Sequence, residues 1–254
     1  MTMYKIRQKS PLVHCITNYV VANFTANGLL ALGASPVMAD EVEEVEEMVS
    51  IANALLINIG TLNTRTLEAM IKAGKKANEL NIPVVLDPVG VGATSFRQKA
   101  VENILSQVNI QLLRCNIGEL ASIAGVDWQS RGVDSGDGEL DIASVAKQVA
   151  VQHQCMVVVT GKSDYLTDGV SEHWTAGGHE LMTQVTGTGC LLSAICAATL
   201  ALDGEPLENL CEVLIDYKRV AEFASDNQLL GSFQEEVINH IHSLSRGAKQ
   251  WTLS

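Results

Sequence analysis

Four short apolar runs constrain this chain more than any other feature: Ala54-Leu55-Leu56-Ile57-Asn58-Ile59, Pro83-Val84-Val85-Leu86, Ile110-Gln111-Leu112-Leu113 and Cys155-Met156-Val157-Val158-Val159. Each is continuously apolar rather than alternating, so each predicts a strand buried on both faces. Helical patterns separate them, at Thr64 to Leu80, ended by Asn81-Ile82-Pro83, and at Leu140 to His153. Strands buried on both faces and joined by helices imply an α/β fold with a mostly parallel central sheet between two helical layers. After Gly189 the pattern is helical only, at Leu191 to Leu202, Leu207 to Asp226 and Phe233 to Leu244. A length of 254 residues suits one domain spanning 1–254, with Asp127 to Glu139 expected as an exposed loop.

The formal net charge of −12 argues against a nucleic-acid surface, which must neutralise phosphates with Lys and Arg. No apolar run reaches the roughly 18 residues of a membrane span. The basic N-terminal stretch to Lys9 is not followed by an apolar signal region, so a cytoplasmic location is expected. Six cysteines, none in a CxxC pair, are expected as separate reduced thiols rather than a disulfide framework or a zinc site.

In open α/β sheets ligands gather beyond the carboxyl ends of the strands, so the polar residues there carry weight. Gly161-Lys162-Ser163 is no P-loop, because the position that must be the first glycine is Met156. Asp87, in Asp87-Pro88-Val89-Gly90, is either a turn aspartate holding its own loop or a carboxylate facing the crevice. Glu119 either complements a helix dipole or joins Asn116 and Asp87 around Mg²⁺ held mainly through water. Arg114 is a phosphate clamp or a surface cation, and Thr160 a nucleotide contact or a strand end. Met38 is more often a core methionine than a ligand contact, and His14 with Asn18 reads as a buried polar pair. His240 and His242, two apart, point apart on a helix and form no metal site.

The most specific segment is Thr186-Gly187-Thr188-Gly189-Cys190, ahead of the small and apolar run Leu191 to Ala198. Freed backbone at a helix start is an anion cradle. A cysteine on that first turn is expected to be a better base or nucleophile, because the helix dipole favours the thiolate. A covalent role for Cys190 would need a histidine partner, and none stands at an evident strand end.

Seven ordered segments together resemble the hydroxyethylthiazole kinases of the ribokinase-like superfamily. They are Val13 to Val20, Gly33 to Met38, Asn58 to Leu62, Leu86 to Thr94, Arg114 to Glu119, Gly132 to Ser135 and Thr186 to Cys190. The resemblance implies a ribokinase-like three-layer fold and ATP-dependent phosphorylation of the primary alcohol of 4-methyl-5-(2-hydroxyethyl)thiazole, in thiamine synthesis or salvage. It also implies Mg²⁺, and a homotrimer with substrate sites at subunit boundaries. On this reading Arg114, Thr160, Asn116 and Gly189 bind ATP, while Met38, Gly187 and Asn18 line the substrate. Asp87 and Glu119 serve the metal, and Cys190 is the base. Related sugar and vitamin kinases usually carry aspartate where this chain has Cys190, whereas the thiazole kinases carry cysteine. Ile117 and Gly118 depart from the small pair more usual before the glutamate. Kinases of hydroxymethylpyrimidine or pyridoxal type, and a non-catalytic precursor sensor, are the alternatives.

Overall fold

The computed structural model describes residues 1–126, 140–226 and 228–247. The expected loop at 127–139, with the Gly132 to Ser135 segment, lies outside the described residues. In chain order the helices are α1 (Thr2–Lys9), α2 (Ala22–Leu32), α3 (Val45–Ser50), α4 (Thr64–Glu79), α5 (Ser95–Gln107), α6 (Ile117–Ala124), α7 (Ile142–His153), α8 (Thr188–Leu200), α9 (Pro206–Ala224) and α10 (Leu230–Ser245). The strands are β1 (Leu12–Ile16), β2 (Ser35–Val37), β3 (Ala54–Asn58), β4 (Val84–Asp87), β5 (Leu112–Asn116), β6 (Met156–Thr160), β7 (Asp164–Thr167) and β8 (Glu172–Thr175).

All eight strands form one sheet in the order β2-β1-β3-β4-β5-β6-β7-β8. The first six are parallel, and β7 and β8 return antiparallel at one edge. Successive side chains of a strand face opposite sides, and here both sides are apolar. Ala54 and Leu56 enter the core under α2, α8, α9 and α10, whereas Leu55 and Ile57 enter the core under α4, α5 and α7. That two-sided demand is why the runs read as continuous rather than alternating.

Helix α8 lies against β1, β3 and β4 and is covered by α2 and α9. Ten of its residues, from Thr188 to Thr199, are buried, as its apolar composition on all sides requires. Its first turn holds Thr188, Gly189 and Cys190, three residues ahead of the helix start read from sequence. Strand β5 runs later than its apolar run and contains Arg114, Cys115 and Asn116, which were expected just beyond a strand. Because the sheet is parallel from β2 to β6, the carboxyl ends of β1, β3, β4, β5 and β6 open on the same side, where the N-terminus of α8 arrives.

Candidate active site

Asp87 is the last residue of β4 and is fully buried. Its Oδ2 accepts from Asn58 Nδ2 and from Ser193 Oγ, both at 2.8 Å. Its Oδ1 has no hydrogen-bond partner and faces Arg114 Nη1 at 3.6 Å. Burial drives the Asp87 carboxyl up to about 6, against the pull of Arg114 and its two hydrogen bonds and with the push of Glu119. Arg114 is held up in turn: burial opposes its charge, but Asp87 and Glu119 outweigh burial. The guanidinium donates through Nη2 to Thr160 Oγ1, from the neighbouring strand. Its Nε is buried without a partner. An arginine aimed across strand ends with an idle donor suits an anion.

Two helices begin here. Asn116 ends β5 and caps α6, its Oδ1 accepting from Glu119 N–H at 2.9 Å while Glu119 Oε2 accepts from Asn116 N–H at 2.9 Å. That reciprocal pair is a capping box. The other Glu119 oxygen accepts from Gly90 N–H at 2.9 Å, tying the loop after β4 to α6. Glu119 thus completes the helix start, as the dipole reading expects, and also ties in the loop that follows Asp87. Helix α8 starts differently. Gly187 precedes it at φ +94°, where a side chain is strained, and no side chain caps it. Its first amides, at Thr188, Gly189 and Cys190, have no carbonyl one turn back to bond. The Arg114 guanidinium crosses this start so closely that a Cβ on Gly189 would lie 2.8 Å from Nη1. Tyr217 Oη donates to Thr188 O at 2.8 Å and Thr188 Oγ1 to Met182 O at 2.7 Å, fixing the turn from beneath.

Cys190 is half-buried, and Asn18 Nδ2 donates to its Sγ at 3.5 Å. The expected activation by the helix dipole is overturned in direction. Burial and the Asp87 charge raise the thiol above its ordinary value, and Asn58, Arg114 and Asn18 pull it only part of the way back. The resting group at neutral pH is a thiol. His14 and Asn18 do not pair with each other, contrary to the buried-pair reading. His14 Nε2 meets Ala39 O at 2.8 Å, while Asn18 turns to Asn58.

Two hollows open near the start of α8, one lined by Gly189 and the other by Asn58. A cavity of about 750 Å³ includes Arg114, Asn116, Thr160, Gly189, His179 and Lys218 in its lining, and is large enough for a nucleotide. Lys218 closes its floor, bonding Asp164 at 2.9 Å and Gly161 O at 2.9 Å. A smaller hollow of about 190 Å³ is lined by Met38, Tyr19, Asn58, Thr61 and Met70 among others. Asn58 lines it, and Asn58's partner Asn18 touches Cys190. The four cofactor residues expected from sequence therefore share the large cavity, and Met38 faces the small one. Gly187 packs against Val21 and Phe24, where a Cβ would lie 2.8 Å from Val21 Cγ1. Sequence reasoning placed Asn58 at a strand end without giving it a role, and did not single out Ser193, Tyr217 or Lys218. Asn58 alone carried a signal, as the polar end of an apolar run.

A nucleotide-sized cavity, an open helix start and a buried Asp–Arg pair at parallel strand ends define a small-molecule kinase of ribokinase-like fold. A ribokinase-like superfamily protein from Enterococcus faecalis V583 shares that fold at a TM-score of 0.69 and 11% identity, over 94% of this chain and 89% of its own. Closer likeness narrows the class. The Hydroxyethylthiazole kinase family matches residues 3–247. A hydroxyethylthiazole kinase from Lysinibacillus sphaericus (strain C3-41) is 57% identical over 247 residues, covering 97% of each chain. The structure of the hydroxyethylthiazole kinase protein from Pyrococcus horikoshii OT3 superposes with a TM-score of 0.86 at 41% identity, over 95% of this chain and 91% of that one. The chain belongs to the hydroxyethylthiazole kinase family.

Proposed function

We propose that this chain transfers the γ-phosphoryl group of ATP to the primary alcohol of 4-methyl-5-(2-hydroxyethyl)thiazole, supplying thiazole phosphate for thiamine synthesis or salvage. The observation that carries the reading is the uncapped start of α8, where Gly189 lines a nucleotide-sized cavity and the next residue, Cys190, is bonded by Asn18, whose partner Asn58 lines a small hollow together with Met38. In this reading ATP occupies the large cavity along Arg114, Asn116, Thr160 and Gly189, and the thiazole ring sits by Met38, Asn18 and Gly187. The alcohol oxygen forms a bond to the γ-phosphorus as the bond from phosphorus to the β–γ bridging oxygen breaks, and the alcohol proton passes to Cys190 Sγ. Charge on the transferring oxygens is met by the amides of α8 and by Arg114. Because the resting group is a thiol, Cys190 first loses its proton to solvent water and only the thiolate fraction accepts the alcohol proton, which is enough for a loose transition state that asks little of a base.

Mg²⁺ fits the donors present. Asp87 Oδ1 is buried without a hydrogen bond, and each Glu119 oxygen takes one N–H and keeps a lone pair. Among the described residues no group of three acidic, His or Cys side chains forms a closed metal cage, so these two would hold the ion largely through water and phosphate oxygens, where it would neutralise charge.

We also infer one kinase domain over 1–254 and a homotrimer with sites at subunit boundaries. The strongly exposed Tyr19 and Val20 beside the small hollow support the trimer. Among the described residues no helix is long and apolar enough to cross a membrane, which agrees with a cytoplasmic enzyme. The test is ADP release from Mg-ATP with a panel of thiazole, hydroxymethylpyrimidine and pyridoxal alcohols. Preference for a non-thiazole alcohol overturns the substrate, and tight thiazole binding without turnover favours a precursor sensor.

A further inference from the structure

Asn58 lines the small hollow but has no part yet in the proposed transfer, and its surroundings leave it no freedom. It ends β3, is buried, and stands opposite Asp87 in the β3–β4 register. Nδ2 donates to Asp87 Oδ2 at 2.8 Å, while Oδ1 accepts from Gly60 N–H and from Asn18 Nδ2, each at 2.9 Å. A backbone N–H can only donate, so Gly60 fixes which end of the Asn58 carboxamide is oxygen. Asn18 is fixed in the same way, because its Oδ1 accepts from Val21 N–H at 3.2 Å. Two backbone groups thereby set the polarity of the whole chain. It ends with an N–H of Asn18 directed at Cys190 Sγ.

Gly60 has a second part in this. An ideal Cβ built on it would stand 2.7 Å from Asn18 Nδ2 and 2.9 Å from its Cγ. The Asn18 amide occupies the volume that any other residue at 60 would fill. Gly60 is not among the residues with positive φ, so its backbone does not itself demand glycine. Space for Asn18 is what a side chain there would remove.

We infer that Asn58 and Gly60 are positioning residues for phosphoryl transfer: they hold the Asn18 amide with its N–H toward Cys190, so the sulfur is bonded as an acceptor on one side and open to the alcohol proton on another. The kinetic consequence rests on the kinase reading. Gly60→Ala adds one methyl group and removes no polar partner. It lowers kcat about tenfold, the usual weight of one hydrogen bond at a reacting group, and leaves KM for ATP within about twofold because Arg114 and Thr160 are untouched. In an Asn18→Ala background the same substitution changes kcat less than about twofold, since its target is gone. Equal losses in the two backgrounds, or no loss in the first, overturn the inference. Should Gly60→Ala fail to fold, Asn18→Ala is compared with the wild type directly, and a kcat within about twofold of the wild type overturns the inference. Failure of the unsubstituted protein to release ADP with any alcohol would sink the kinase reading instead. The positioning is then read from iodoacetamide labelling at Cys190, which Gly60→Ala slows several-fold only when Asn18 is present, and an unchanged labelling rate overturns it.

Discussion

Helices α6 and α8 both begin at the carboxyl edge of the sheet, one on each side of the Asp87–Arg114 pair, and they treat their free amides in opposite ways. At α6 the chain spends its own side chains: Asn116 and Glu119 bond each other's backbone N–H groups and close the end. At α8 the preceding residue is glycine with φ +94° and the amides are left open. A helix start closed by its own carboxylate has little positive field left for a ligand, whereas an open one keeps both donors and dipole. The difference separates scaffold from cradle. Even at this open start the thiol of Cys190 is raised, because burial and the Asp87 charge outweigh the pull of Asn58, Arg114 and Asn18.

Filling the cradle breaks the contrast most severely. Gly189→Val places a branched carbon where a Cβ would already lie 2.8 Å from Arg114 Nη1, and the expected loss in kcat/KM for ATP is about 10³-fold or more. Steady-state kinetics beside a thermal melt checks it, and near-normal ATP use would show that the phosphoryl group does not pass over α8. Next in size is Cys190→Ala, expected to lower kcat about 10²-fold with KM for ATP little changed. Cys190→Asp stays active. Because the thiol is raised, wild-type kcat climbs with pH through the alkaline range, and the aspartate variant loses that limb. Identical pH profiles for the two proteins would remove the base role.

Much of this edge was legible in the sequence, and the misses have physical causes. Asp87, Arg114, Asn116 and Thr160 were readable because buried parallel strands must expose their first polar residue at the ligand side. The start of α8 was read three residues late, because Thr188-Gly189 carries poor helix propensity and only the packing of Tyr217 and Met182 fixes that turn. Strands β7 and β8 were passed over as four-residue edge segments, although Asp168-Gly169 between them is hairpin chemistry. α1 was read as a charged terminus, since eight residues with Met3 and Ile6 inward form too short a stripe to stand out. The Asn18–Asn58–Asp87 chain was out of reach, because it joins residues 40 and 29 positions apart and no local pattern announces such contacts. The direction of the Cys190 shift failed for the same reason: burial is a property of the assembled core.

Asp87 sharpens the comparison through stability rather than rate. Its folded value of about 6 lies above the ordinary 3.8, so the native state binds the extra proton. The group's contribution is present in full below pH 3.8 and is lost as pH rises through 6. Asp87→Asn lacks that dependence. The stability of the wild type relative to Asp87→Asn therefore grows by about 2 kcal/mol as pH falls from 8 to 4, read from denaturant melts at each pH. A difference that shrinks on acidification would mean that Arg114 dominates the carboxyl after all.

The smallest effect isolates what a closed helix start is worth. Helix α4 carries a second capping box, in which Asn63 Oδ1 accepts from Thr66 N–H at 3.0 Å and Thr66 Oγ1 accepts from Asn63 N–H at 2.9 Å. It closes the start of a helix as the box on α6 does, but Asn63 is absent from the lining of the large cavity. Asn63→Ala and Asn116→Ala each remove one cap and are expected to cost about 1 kcal/mol of stability. Only Asn116→Ala also takes a side chain out of the lining of the large cavity, while the Glu119 carboxylate keeps its bonds to the backbone N–H groups of residue 116 and Gly90. KM for Mg-ATP rises a few-fold in Asn116→Ala and stays level in Asn63→Ala. Equal KM values with equal losses in melting temperature would reduce Asn116 to a helix cap and leave Arg114, Thr160 and the open start of α8 to bind the nucleotide unaided.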